Sequence, residues 1–154
     1  MALEDLLKQE AIMPALKVSS KKQLLQELSA RAETVTGLPE REIFEVILQR
    51  ERLGSTGVGN GIAIPHGKLA GLEQIHGVFA RLPQPVNFDS LDDQPVDLAF
   101  LLLAPEGAGA DHLKALSKVA RLLRDTELTT RLRASENASA IFSILTGDAN
   151  SSAA

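Results

Sequence analysis

Val96-Asp97-Leu98-Ala99-Phe100-Leu101-Leu102-Leu103 is the stretch on which the fold turns. It is almost unbroken apolar sequence, the pattern of a central strand covered on both faces. Something must cover those faces, and the flanking sequence supplies helices. Downstream, Pro105-Glu106-Gly107-Ala108-Gly109 reads as a loop, after which Leu113, Leu116, Val119, Ala120 and Leu123 fall at helical spacing. Leu128 to Ala134 predicts a further helix. A last one is expected from Asn137, a candidate N-cap, to about Thr146.

Upstream, Ile75 to Leu82 reads as a strand closed by Pro83 and Pro85. Ile62-Ala63-Ile64 reads as a short strand ended by Pro65-His66-Gly67, because Pro65 has no N–H and Gly67 permits a turn. Gly54-Ser55-Thr56-Gly57-Val58-Gly59-Asn60-Gly61 holds four glycines in eight residues and is expected to lack regular structure. Before it, Ile43, Phe44, Ile47 and Leu48 mark the buried stripe of a helix opened by Pro39 and running to about Arg52. Leu24, Leu25, Leu28 and Ala32 mark another over residues 21 to 35, capped by Ser19-Ser20. Ala11 to Val18 is expected to be extended, and Leu3 to Leu7 to make a helical turn. Strands interleaved with helices, one strand doubly buried, predict an α/β layered domain.

Composition bounds the function. The 154 residues are 44% hydrophobic and 23% charged, a globular balance large enough for a core of its own. One domain over residues 1–147 is expected, with a flexible tail at 148–154. No cysteine is present, which excludes disulfides, zinc thiolates and a cysteine nucleophile. No apolar run approaches the roughly 20 residues of a membrane span. The acidic start Met1-Ala2-Leu3-Glu4-Asp5 lacks the basic segment of a signal peptide. A cytoplasmic protein without membrane insertion is the expectation. The net charge of −4 disfavours nucleic acid, and aromatic residues, 3% and all Phe, offer no base-stacking platform.

Three histidines carry what titratable chemistry is available near neutral pH: His66, His76 and His112. A lone histidine is most often structural, but His66 stands beside the glycine-rich segment. Such backbone can aim several N–H groups at one anion, and imidazole is a nucleophile near neutral pH. Together these suit a phosphohistidine site. Equally, the glycines alone are compatible with a plain connecting turn. The segment has neither G-x-G-x-x-G spacing nor a Walker A pattern. His112 opens the Leu113 to Leu123 helix, where the helix dipole disfavours imidazolium. It is either a hydrogen-bond donor to a phosphoryl group or an exposed first-turn residue. His76, in a predicted strand, reads as a structural or surface residue. Arg50 could clasp phosphate oxygens in a two-point fashion or be a solvated helix charge. Thr56 and Ser55 could donate hydroxyl bonds to phosphate or make local turn bonds. No H-E-x-x-H or G-x-S-x-G motif occurs, so zinc and serine-hydrolase chemistry find no support.

The run Arg50-Glu51-Arg52-Leu53-Gly54-Ser55-Thr56-Gly57-Val58-Gly59-Asn60-Gly61-Ile62-Ala63-Ile64-Pro65-His66-Gly67-Lys68 closely resembles the phosphorylation-site motif of the fructose/mannitol family of enzyme IIA domains. Its form, with Asn87-Phe88-Asp89, Gln94-Pro95-Val96-Asp97-Leu98 and Asp111-His112-Leu113, is similar to the nitrogen-regulatory branch, and the resemblance covers roughly Leu3 to Thr146. It implies a three-layer α/β/α sandwich around a central mixed β-sheet. It implies that His66 becomes a tele-phosphohistidine by taking phosphate from a phosphorylated HPr-like carrier protein. Arg50 and His112 would stand beside it, with Thr56, Ser55, Gly57, Gly59 and Gly61 binding phosphate, and no metal or nucleotide cofactor. Regulatory target proteins would then be bound according to phosphorylation state. A member of that branch is expected to carry no IIB or membrane portion. Two alternatives are a sugar-transport enzyme IIA with a separate IIB, and a protein-binding module without covalent chemistry.

Overall fold

A computed structural model describes the backbone of residues 2–153 and the side chains of residues 2–147. The tail expected at 148–154 lies outside the fully described residues. Two 3-10 turns, Leu3–Asp5 and Gln9–Ala11, lead into strand β1 (Ile12–Met13). Helices α1 (Lys21–Thr36) and α2 (Glu40–Leu53) follow, then β2 (Gly57–Gly59), β3 (Ile62–Ala63), β4 (His66–Leu69), β5 (His76–Val86) and β6 (Val96–Pro105). Helices α3 (Ala110–Leu123), α4 (Thr126–Arg133) and α5 (Ala138–Ala153) complete the chain.

The sheet order is β1-β5-β6-β3-β2, with β4 also on β6. It is mixed: β5 runs antiparallel to β6, whereas β3 and β4 run parallel to it. Strand β6 sits at the centre, as its composition predicts. From Val96 to Ala104 only Asp97 escapes full burial. One group of helices, α1 and α2, packs together and meets β5 and β4; α4 packs on α3 and α5, which meet β6 and β1. This is the expected α/β/α layering, and one core cluster joins both helix groups to the sheet.

The helix caps follow their residues. Ser20 accepts the amide of Gln23 at the start of α1, and Gly37 closes that helix at φ 81°. Asp125 accepts the amides of Glu127 and Leu128 to start α4, and Asn137 accepts that of Ala140 at α5.

Three expectations are corrected. The glycine segment does contain regular structure: β2 and β3 form an antiparallel hairpin around Asn60-Gly61. Asn60 and Gly61 have φ of 57° and 82°, the left-handed pair that a two-residue hairpin turn demands. Pro65 does not end the chain's run along the sheet. β3 pairs with Leu98 and Ala99 of β6, and β4 resumes against Leu102 to Pro105. The missing proline N–H only interrupts the ladder, and the Pro65 carbonyl still accepts the amide of Leu102 at 3.0 Å. Gly67 serves close approach rather than a turn, since a Cβ there would meet Val46 Cγ1 of α2 at 2.5 Å. Finally, β5 runs through Pro83 and Pro85 to Val86. The prolines are tolerated because its register against β6 lapses between Arg81 and Val86, where their absent N–H groups are not needed.

Candidate functional site

A cleft of about 740 Å³ opens between α2 and α3 above the start of β4. Val46, Gln49, Arg50 and Leu53 line it from α2, joined by Arg52; Gly109, His112, Leu113 and Leu116 line it from the other side. Each foursome follows i, i+3, i+4, i+7 spacing, one face of a helix turned toward the same gap. His66, Gly67 and Lys68 form its floor. Leu53 and Leu113 are 85% and 67% exposed on its two rims, an unusual placement for leucine.

His66 is half-buried, and its ring is fixed by one bond. Nδ1 lies 2.9 Å from the Ile64 carbonyl oxygen. A carbonyl can only accept, so Nδ1 carries the proton and Nε2 holds the free lone pair. His112 stands edge-on to His66, with ring centroids 5.6 Å apart and an interplanar angle of 80°. It is buried rather than an exposed first-turn residue. Its Nδ1 is buried and unpartnered among the described residues. An unpartnered N–H is costlier to bury than a bare ring nitrogen, which favours the tautomer with the proton on Nε2. The two rings then offer complementary atoms: a lone pair on His66 and an N–H on His112.

Burial and neighbouring charge favour the neutral form of both rings. Burial holds His66 below its ordinary value of 6.5, a tendency opposed by the Ile64 bond; Arg50 lowers it further and Glu51 raises it. Burial lowers His112 too, aided by His66 and Lys68. His76, at the start of β5 and paired with Leu103 of β6, is lowered by burial and by Lys8. Nδ1/Nε2-resolved NMR titration is therefore expected to place the His66 midpoint below 6.5, with nucleophilic neutral imidazole persisting through that pH. The folded chain binds these protons less readily than the unfolded one. Stability to urea is thus full above the ordinary histidine value of 6.5 and expected to fall as the pH drops below it.

Arg50 donates from Nη1 to the Gly54 carbonyl at 2.8 Å, which fixes the guanidinium at the cleft. No other partner is recorded for it among the described residues. The remaining expected phosphate binders are placed elsewhere. Ser55, Thr56, Gly57, Gly59 and Gly61 do not line the cleft. The Thr56 hydroxyl and amide both donate to Glu51, and the Gly57 amide donates to Ser55 Oγ at 3.0 Å. The Asn60 amide donates to Asp92 at 2.9 Å. Ser55 Oγ in turn donates to the Phe88 carbonyl. Gly57 leaves room for Ser90, whose Oγ would lie 2.2 Å from an added Cβ. The hairpin thus uses its polar groups to brace itself. Gln49 and the rim leucines Leu53 and Leu113 were discoverable as cleft residues from the matching i, i+3, i+4, i+7 faces, whereas Arg52 and Lys68 lie off those faces.

Residues 5–147 match the family model described as phosphoenolpyruvate-dependent sugar phosphotransferase system, EIIA 2. The chain belongs to that family. This EIIA chain is 65% identical to a nitrogen regulatory protein of Bradyrhizobium diazoefficiens, over 94% of its own length and 95% of the relative's. It is 43% identical to the nitrogen regulatory protein of Escherichia coli over 94% and 89% of the two lengths. Among solved structures, nitrogen regulatory protein IIA-Ntr of Neisseria meningitidis superposes with a TM-score of 0.89 at 40% identity, covering 94% and 99% of the chains. The EIIA fold extends to IIA mannitol of E. coli, at a TM-score of 0.75 and 21% identity, covering 90% and 97%. The family places the chain in a phosphotransferase system, as a component of phosphoryl transfer. No helix among the described residues is long and apolar enough to cross a membrane.

Proposed function

We propose that this EIIA chain is a cytoplasmic phosphoryl carrier of a nitrogen-related phosphotransferase system. It takes phosphate on His66 Nε2 from a phosphorylated HPr-like carrier and regulates target proteins according to its phosphorylation state. The observation that carries the site is the bond from His66 Nδ1 to the Ile64 carbonyl, which leaves Nε2 as the nucleophile facing the cleft. Attack by that lone pair forms a P–N bond as the P–N bond to the donor imidazole breaks, its electron pair staying on the donor nitrogen. Positive charge developing on the His66 ring strengthens the Nδ1–H bond to Ile64. Charge on the phosphoryl oxygens is met by Arg50 and by the Nε2–H of His112, with Lys68 near. The identity to nitrogen regulatory proteins supports the regulatory side of the reading. The exposed Leu53 and Leu113 suit a cleft that proteins, rather than small molecules, visit.

Mixing the chain with phosphorylated carrier and mapping peptides by alkaline mass spectrometry should show one acid-labile phosphate, on His66. Phosphate found on another residue, or none at all, ends the assignment. Replacing Arg50 with Met is expected to slow uptake by about 10²-fold with the phosphate still on His66, since one positioned charge stabilising the transferring group is removed. Single-turnover quench measurements would record it.

A further inference from the structure

Glu51 is buried although charged, 7% exposed at the end of α2. A carboxylate in such a place is kept only where its charge and hydrogen bonds are met. Lys21 of α1 meets the charge, with Nζ 3.0 Å from Glu51 Oε2. The same ammonium sits 4.6 Å from the centroid of the Phe88 ring. Both carboxylate oxygens accept the Thr56 amide, at 3.0 and 3.1 Å, and the Thr56 hydroxyl donates as well.

From Thr56 the contacts continue to the site. The Thr56 carbonyl accepts the Ile64 amide at 3.0 Å, a bond made outside the regular ladder where the sheet is interrupted before Pro65. The Ile64 carbonyl then accepts Nδ1 of His66 at 2.9 Å. An unbroken series of bonds therefore runs from Lys21 through Glu51, Thr56 and Ile64 to the imidazole. Pro65 cannot anchor Ile64 or His66 through an N–H of its own, so Thr56 supplies the fixed point.

We propose that Glu51, paired with Lys21, is a positioning residue that orients the His66 ring and selects its Nδ1–H tautomer, acting through Thr56 and Ile64. The proposal rests on the reading of His66 as the phosphoryl acceptor for its kinetic consequence, but not for its effect on the ring. Glu51 touches no reacting atom. It keeps the Ile64 carbonyl where only an Nδ1–H ring can use it, and Nε2 thereby faces the incoming phosphorus.

The test uses the full chain and two readouts. ¹⁵N NMR of the imidazole at pH 8 reports the tautomer, and single-turnover transfer from phosphorylated carrier reports rate against donor concentration. Wild type is expected to show His66 predominantly protonated on Nδ1. Glu51→Gln is expected to raise the Nε2–H fraction severalfold and lower the maximal transfer rate at least tenfold, with half-saturating donor concentration within twofold. The double variant Lys21→Met/Glu51→Gln leaves no stranded buried charge, so it keeps the experiment open if the single variant folds poorly; the same changes are expected. A folded variant with wild-type tautomer and wild-type rate overturns the proposal, as does a wild-type ring protonated on Nε2. A tautomer that depends on Glu51 in a chain that takes up no phosphate supports the positioning and removes the carrier reading instead.

Discussion

His66→Ala is expected to take up no phosphate from the phosphorylated carrier, while its circular dichroism and unfolding midpoint stay close to those of the parent chain. The first half follows from the chemistry of the cleft. The other nitrogen nucleophile positioned there, His112, has its Nδ1 buried and its Nε2 protonated in the favoured tautomer, so no lone pair faces the donor. Loss of the nucleophile therefore removes the reaction rather than slowing it. The second half follows from position. His66 is only partly buried, its backbone pairing with Leu102 is independent of side chain, and the ring makes one bond to a carbonyl. Removing this half-buried imidazole costs about 1 kcal/mol, the scale of one such bond. Uptake of acid-labile label by the variant, followed by autoradiography on alkaline gels, is the measurement; labelled variant protein contradicts the expectation.

Phe100→Ala is expected to destabilise the chain by about 3–5 kcal/mol. Phe100 is fully buried in β6, opposite Phe79 of β5, with ring centroids 6.1 Å apart at an interplanar angle of 63°. A Cβ on Gly77 would lie 2.8 Å from Phe100 Cε1, so the neighbouring strand is already shaped to the ring. Truncation leaves a void whose walls are paired strands, which cannot collapse far without breaking the ladder. The loss is comparable with the 5–15 kcal/mol total stability of an ordinary domain. Urea unfolding at pH 7.5 should show the midpoint falling sharply with an unchanged slope. A shift worth less than about 1 kcal/mol would mean that β6 is not the packed centre.

What the sequence discloses here depends on range. The apolar run 96–103, the stripes of α1 to α3 and the caps at Ser20 and Asn137 are local patterns, and each element appears where its pattern lies. The errors come from residues whose effect depends on a partner elsewhere. Pro65, Pro83 and Pro85 read as terminators, yet a proline ends a strand only if its N–H was needed there. The need is decided by register on β6. Gly67 reads as a turn because its neighbour Val46, which requires the missing Cβ, is 21 positions earlier. The Asn60-Gly61 dipeptide is a hairpin signal in its own right, obscured by the glycines around it.

The site divides the same way. His66, Arg50 and His112 are brought to one cleft. The glycine segment is not: its Thr56, Gly57 and Asn60 amides are engaged by Glu51, Ser55 and Asp92, two of these acceptors lying outside residues 54–61. Those side chains are invisible to any argument from glycine content alone.

The interrupted pairing of β3 and β4 on β6 bears on how the signal is read. The main chain on both sides of His66 is tied to the middle of the sheet, at Ala99 behind Pro65 and at Leu102 beside His66. Little slack remains for the polypeptide to rearrange when the ring gains a dianionic group. The two chemical states should accordingly share one scaffold and differ in surface potential across a cleft lined by Arg50, Arg52 and Lys68. A binding protein that tells them apart would be comparing charge on a rigid face, and its preference should weaken as ionic strength rises.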